Sequence, residues 1–483
     1  MKTKLLFFLQ KMEKKEQKHF FEYVRSPFFN KNKKLLSLLA FLENYAPEYK
    51  SGELTAEKAY QSVYGTEDFN ELRLNNLTSD LMQLLYDFFA YREYEKQPAQ
   101  KIYWTGKALL RRDLPEQMKS VFRRFDNVRK KTVTKDAISI MHEVNYHDLK
   151  DEWTISGGKR GYSQSLIRKR ELLEEYSFLR QLEIACDTVS RNAAIQANYN
   201  TTFIKEVINQ YESDTKRWSS QPAILIYYTT LKMLMEPKAA DHYQALKKLL
   251  QDHPEIFNKD ELRTIYNFAL NFCVRQINSG FVDYYEEVLT LYKILLDYRI
   301  IYKNGYLSQW TFTNICTAGI RLERYDWTTS FIRDYQDDLP PTHRTNVVNY
   351  NLAALYYAQK NWDKALQLLQ TVIFTDAYYQ TAAKTIQLKI YYENKELEAF
   401  LSLIDSFDKF IQRNRQLSAY QKKSNHNFIS FAAKLSKIRE SQYTQSKKSC
   451  FEKLEKLLEK IKETHPIANK NWLLTQAEKM KRC

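Results

Sequence analysis

The chain has 483 residues, a formal net charge of +16 and a mean hydropathy of −0.59. Glycine and proline number only 9 and 10, about 2% each against usual shares near 7% and 5%, which leaves little room for β-hairpin turns or glycine-rich phosphate loops. No apolar run approaches the roughly 18 residues that span a bilayer, so a membrane bundle is excluded.

Leu, Lys, Gln, Glu and Ala dominate many segments, and all are good helix formers. The expected class is all-α. The 35 tyrosines and 27 phenylalanines suit packed helix pairs, where a tyrosine ring turns inward and its hydroxyl reaches a polar rim. Cys186, Cys273, Cys316, Cys450 and Cys483 are odd in number and widely spaced, which supports neither a zinc site nor a disulfide framework. Free thiols fit a reducing, cytoplasmic setting. The apolar stretch 5–9 near the N-terminus is too short for a secretory signal and reads as a first helix.

The N-terminal segment opens with that helix, broken where Pro27 cannot continue it. Asn30 is the expected N-cap of the next helix, which carries Leu35, Leu38, Leu39 and Leu42 on one face. Gly52 and Gly65 bracket a short helix beginning near Thr55. Leu74, Leu77, Leu81, Leu84 and Phe88 then mark a long amphipathic helix ending near Pro98. Residues 1–98 are therefore expected to form a helical N-terminal module. Residues 99–162 follow as a basic connector. Its stretch 101–135 holds 11 Lys or Arg against 3 acidic residues, and 153–162, WTISGGKRGY, reads as a glycine-rich loop.

Helix pairs succeed one another over 163–411: 221–257 with Pro237 near the turn, 259–304 broken at Gly280, 306–339, 346–375 and 378–411. In 346–375 the residues Leu352, Tyr356, Trp362, Ala365, Leu366 and Leu369 form one packing set. Ile315, Tyr325 and Thr328 stand 37 residues before Leu352, Trp362 and Ala365, and Leu388, Tyr392 and Ala399 match in the next pair. The region 412–483 is basic. Its helix with Phe451, Leu454, Leu458 and Ile461 on one face is followed by a short one with Trp472 and Leu474, expected to cap the array.

These three units, clearest at 346–375 within 308–411, resemble tetratricopeptide repeats. Ala353 stands where that family has a glycine, and Ala377 where it has a proline. The whole chain also resembles an uncharacterised bacterial family with an SPFFNKNKK-type N-terminal segment, which brings no assigned activity. The resemblance implies a right-handed α-α superhelix, a solenoid of helical hairpins whose concave face binds a protein or peptide. On that face it places Tyr350, Ala354 and Tyr357. It puts Asn314 and Asn351 where some relatives clamp a peptide carboxylate, but the accompanying basic positions are Ala383 and Gln387 here, so the two asparagines are expected to hydrogen-bond within the groove wall.

Other constellations are weaker. His142, Glu143 and His147 miss the H-E-x-x-H spacing, since residues five apart diverge by roughly 140° around a helix; both histidines read as solvated. The loop 156–161 lacks a phosphate-binding frame and does not follow a strand. No catalytic arrangement stands at meaningful spacing, and no cofactor or metal is implied. The expected function is a non-enzymatic binding scaffold. The alternative is a nucleic-acid-associated regulator using Arg111, Arg112, Arg123, Arg124, Lys130 and Lys131, whose cations interleave with Tyr103, Trp104, Phe122 and Phe125. The aromatics are expected to face the core.

Overall fold

The computed structural model describes residues 3–157, 161–195, 198–236, 240–371, 377–443 and 445–481. Every regular element among them is helical, and no helix is long and apolar enough to cross a membrane. The chain divides into two compact units, one from residues up to 185 with 200–227 and 253–257, the other from 186–199, 228–252 and 258 onward.

The first unit opens with α1 (Lys4–Lys11), α2 (Lys14–Arg25), α3 (Lys33–Glu43), α4 (Ala56–Tyr64) and α5 (Glu71–Glu95). Short polar residues start these helices by accepting from orphan N–H groups: Thr3, Asn32, Thr55 and Asn70. Asn32, and not Asn30, caps α3. Asn30 is buried, donates to the Val24 carbonyl at 3.0 Å and accepts from Asn32 N at 2.8 Å, so it shapes the turn that leads to the cap. The five helices enclose Phe20, Leu38, Leu81 and Phe88. Leu85 takes the core place expected of Leu84, which is half-buried.

Next come α6 (Pro98–Leu110), α7 (Met118–Lys131), α8 (Ala137–Ser156) and α9 (Gln164–Ile195). Pro98 at the first position of α6 costs no hydrogen bond. Gly106 lets α6 lie against α8, since a Cβ there would meet Leu149 Cδ1 at 2.8 Å. Around that contact Met118, Val121, Phe125 and Leu149 form a second core. Helix α8 runs through Trp153 to Ser156, so the expected loop is shorter than 153–162, and 158–160 lie outside the described residues. Helices α10 (Thr202–Ser213), α11 (Thr215–Ser219) and the start of α12 (Pro222–Met235) complete this unit. Pro237 lies outside the described residues.

The second unit contains α13 (Ala240–Asp252), α14 (Lys259–Asn278), α15 (Tyr284–Asp297), α16 (Gln309–Arg321), α17 (Tyr325–Tyr335), α18 (Arg344–Ala358) and α19 (Trp362–Thr371). After these come α20 (Ala377–Glu393), α21 (Leu397–Arg413), α22 (Ala419–Ser441), α23 (Lys447–Glu463) and α24 (Lys470–Lys481). Helices α16, α18 and α20 each pack on their own hairpin partner, α17, α19 and α21. Each also packs side by side with the next, α16 on α18 and α18 on α20. The repeat at 346–375 therefore corresponds to α18 and α19, with 372–375 outside the described residues.

The three hairpin turns share one geometry. Glu323, Lys360 and Lys395 adopt left-handed φ of 56°, 59° and 62°. One residue later, Arg324 N, Asn361 N and Glu396 N donate back five residues to Gly319 O, Tyr356 O and Tyr391 O, each at 2.9 Å. This is the helix-ending arrangement that usually employs glycine. Small residues then permit a close crossing. Ala365 is fully buried, as is Thr328 at the matching place, while Ala399 is half-buried and Phe400 fills the third crossing. Phe451, expected on the apolar face of α23, is 51% exposed, and Leu457 is buried instead.

A Cβ on Gly319 would meet Thr328 Oγ1 at 2.3 Å. Gly319→Ala gains about 1 kcal/mol of helix propensity, but overpacking costs roughly 1–3 kcal/mol. Urea unfolding is expected to show a net loss of about 1 kcal/mol. In a Thr328→Ala background that loss should vanish; an unchanged penalty would refute the close crossing.

Candidate functional site

The first helices of the three hairpins are joined by buried polar contacts. Asn351 is 1% exposed and its Nδ2 donates to Val347 O at 2.8 Å and to Thr313 Oγ1 at 3.1 Å. Thr313 Oγ1 meets the Tyr379 hydroxyl at 3.0 Å, so one chain of hydrogen bonds links α18, α16 and α20. Tyr350 is also buried, its ring edge-on to Tyr379 with centroids 5.1 Å apart, and burial pushes its phenol pKa up. Tyr350, placed on the concave face from sequence, is therefore a core residue, and Asn351, expected to hydrogen-bond within the groove wall, is buried with its amide on Val347 and Thr313. Burial removes them from contact with any ligand.

Asn314 and Tyr357 differ. Asn314 is exposed, with Nδ2 at 3.4 Å from the Tyr292 hydroxyl. It shares one helical face with exposed Thr317 and Arg321. Tyr357 is half-buried and donates to Glu393 Oε1 at 2.8 Å. That oxygen also accepts from Trp472 Nε1 at 2.6 Å and Gln476 Nε2 at 3.3 Å. Lys389 Nζ donates to Asn469 Oδ1 at 2.6 Å, and Tyr392 donates to Met480 Sδ at 3.4 Å. Helix α24 thus packs on α20 through a polar seam. Burial, with Arg321 nearby, pushes the Lys389 amine down to about 8. Nothing in the spacing of the sequence pointed to this seam, whose partners Glu393 and Trp472 lie 79 residues apart.

In the first unit, Arg123, Arg124, Lys130 and Lys131 lie on the exposed arc of α7, and none forms an ion pair among the described residues. Arg111 and Arg112, at the end of α6, are exposed too, and Arg112 Nη1 donates to Ala108 O at 2.9 Å. Arg129 points the other way. It pairs with Glu143 at 2.7 Å and Asp126 at 3.2 Å, with its guanidinium 4.4 Å from the Tyr146 ring centre. Of the interleaved aromatics, Phe125 is buried, Tyr103 and Phe122 are half-buried, and Trp104 is 47% exposed.

His142 and His147 are half-buried, not solvated. Burial pushes both imidazoles below their usual pKa, and Arg129 adds to the effect at His147. They line a cleft of about 580 Å³ bounded by α7, α8 and α9. Among the described residues no group of three His, Cys, Asp or Glu is placed to hold a metal ion, and the four described cysteines are buried free thiols; Cys483 lies outside them. Compared with protein-family models, curated proteins and solved structures, the chain matches none.

Removing the Glu393 carboxylate would strand three donors. Glu393→Ala is expected to lower unfolding free energy by roughly 2–4 kcal/mol, and Glu393→Gln, which keeps an acceptor, by about half as much. Equal, small losses in both variants would contradict the seam.

Proposed function

We propose that the second unit is a right-handed, tetratricopeptide-like superhelix of hairpins that acts as a non-enzymatic scaffold for a protein or peptide. The observation that carries this reading is the repetition itself: three successive hairpins with one turn geometry, and first helices stacked side by side. Such stacking generates a continuous face from many short helices, which suits the grip of an extended ligand. The open part of that face is Asn314, Thr317 and Arg321, with Tyr357 at its border. Arg321 acts electrostatically on both Tyr357 and Lys389. The face is therefore cationic and rich in donors, and its partner carries acidic or carbonyl groups.

A second reading rests on the unpaired cations of α7. Four of them on one exposed arc, with Arg111 and Arg112 nearby, fit a phosphate backbone.

Two measurements separate the readings. Affinity capture from the native cell, followed by binding assays with the recovered partner, should show affinity falling at least about tenfold with Arg321→Glu, the loss of a charge-assisted contact. Capture that ignores both Arg321→Glu and Asn314→Ala would contradict the scaffold face. For nucleic acid, a gel shift at low salt should follow a log–log salt slope of roughly −3 to −4 for four phosphates and disappear when Arg123 and Arg124 become Glu. No shift at low salt removes that reading.

A further inference from the structure

The cleft bounded by α7, α8 and α9 is lined by residues of the first unit alone. Its apolar floor is Phe125, Ile140 and Leu172. Above that floor six polar side chains converge: His142, His147, Glu175, Gln221, Lys130 and Lys135. None of the six side chains makes a hydrogen bond or ion pair among the described residues, and His147 Nδ1 is fully buried without a partner. Buried polar groups in folded proteins are nearly always paired, so the idle His147 Nδ1, in a cavity lined by other side chains without partners, calls for an occupant. The remaining charged groups of the cleft are already engaged. Arg129 holds Glu143 and Asp126, Arg168 holds Glu171 at 2.9 Å, and Ser139 and Thr134 are tied to Asp136 and to each other.

What is left has both signs. Glu175 is a half-buried carboxyl, and Lys130 and Lys135 are exposed amines. Lys135 and Arg168 act on the charge of Glu175, yet neither reaches the 4.0 Å of an ion pair. A molecule carrying both an ammonium and a carboxylate would engage both, with its ammonium on Glu175 and its carboxylate on Lys135. The two imidazoles, kept neutral by burial, can each donate or accept. The volume falls within the usual range for small-molecule sites.

We propose that this cleft binds a small zwitterion of the α-amino-acid type. Glu175 takes the ammonium, Lys135 takes the carboxylate, and Phe125, Ile140 and Leu172 receive the side chain. The role is independent of the scaffold reading, since no residue of the hairpin face contributes to it.

Titration calorimetry on the full chain with the common free L-amino acids tests this directly. At least one should bind, and Glu175→Gln and Lys135→Ala should each weaken it by about tenfold or more, the loss of one charge-assisted hydrogen bond. The N-acetyl and carboxamide derivatives of the same amino acid, each lacking one charge, should fail to bind the unmodified protein, a readout that needs no variant to fold. Absence of binding by every amino acid at millimolar concentration would overturn the proposal. So would binding that persists in both derivatives.

Discussion

A hairpin of two short helices cannot bury its own apolar face. That constraint governs the second unit. Each of α16, α18 and α20 is covered on one side by its hairpin partner, and α18 lies side by side with both α16 and α20. Close approach is what makes the covering complete. Gly319 leaves no room for a Cβ beside Thr328, and Ala365 is fully buried. The rest follows from that proximity. Asn351, Thr313 and Tyr379 can join hands only because three first helices lie side by side. Their hydrogen bonds then fix the register that apolar packing alone would leave loose.

Stacking leaves the last hairpin with an open flank, and α24 covers it. The cover is polar as well as apolar. Glu393 gathers Tyr357, Trp472 and Gln476 on a single oxygen, while Leu473 and Ala477 enter the neighbouring core. A carboxylate half-removed from water is tolerable because three donors replace its hydration. The Lys389 amine is less well compensated: it is buried, donates to Asn469 Oδ1 and has a guanidinium nearby, so its proton is held more weakly than usual. Arg321 on α16, Tyr357 on α18 and Lys389 on α20 are thus electrostatically linked.

Much of the helical plan was legible in the sequence, because 3.6-residue periodicity and turn punctuation are local signals. Pro27, Gly65 and Pro98 ended or began helices where their backbone chemistry requires it. Ala365, placed in the packing set of 346–375 from sequence, is fully buried. Facing was harder. Tyr350 and Asn351 sit on the right helix but turn into the core, and the spacing of residues along one helix does not reveal how far the next helix overlaps it. The left-handed turn residues Glu323, Lys360 and Lys395 carry side chains where glycine is the usual sign, so no local cue marked them. His142 and His147 were read as solvated because the periodicity of α8 alone does not show that α7 and α9 close over them. Glu175 and Gln221 joined the same cleft from positions that no motif connects to α8.

Neighbour-to-neighbour burial, the central claim, has a direct test in hydrogen exchange on the chain lacking α24. Coupling that passes only between adjacent helices predicts a graded response: protection lost in α20, α22 and α23, reduced in α18, and retained in α14 and α15. A uniform loss across all helices of the second unit would contradict the account, because it would mean a single cooperative core in place of stacked hairpins.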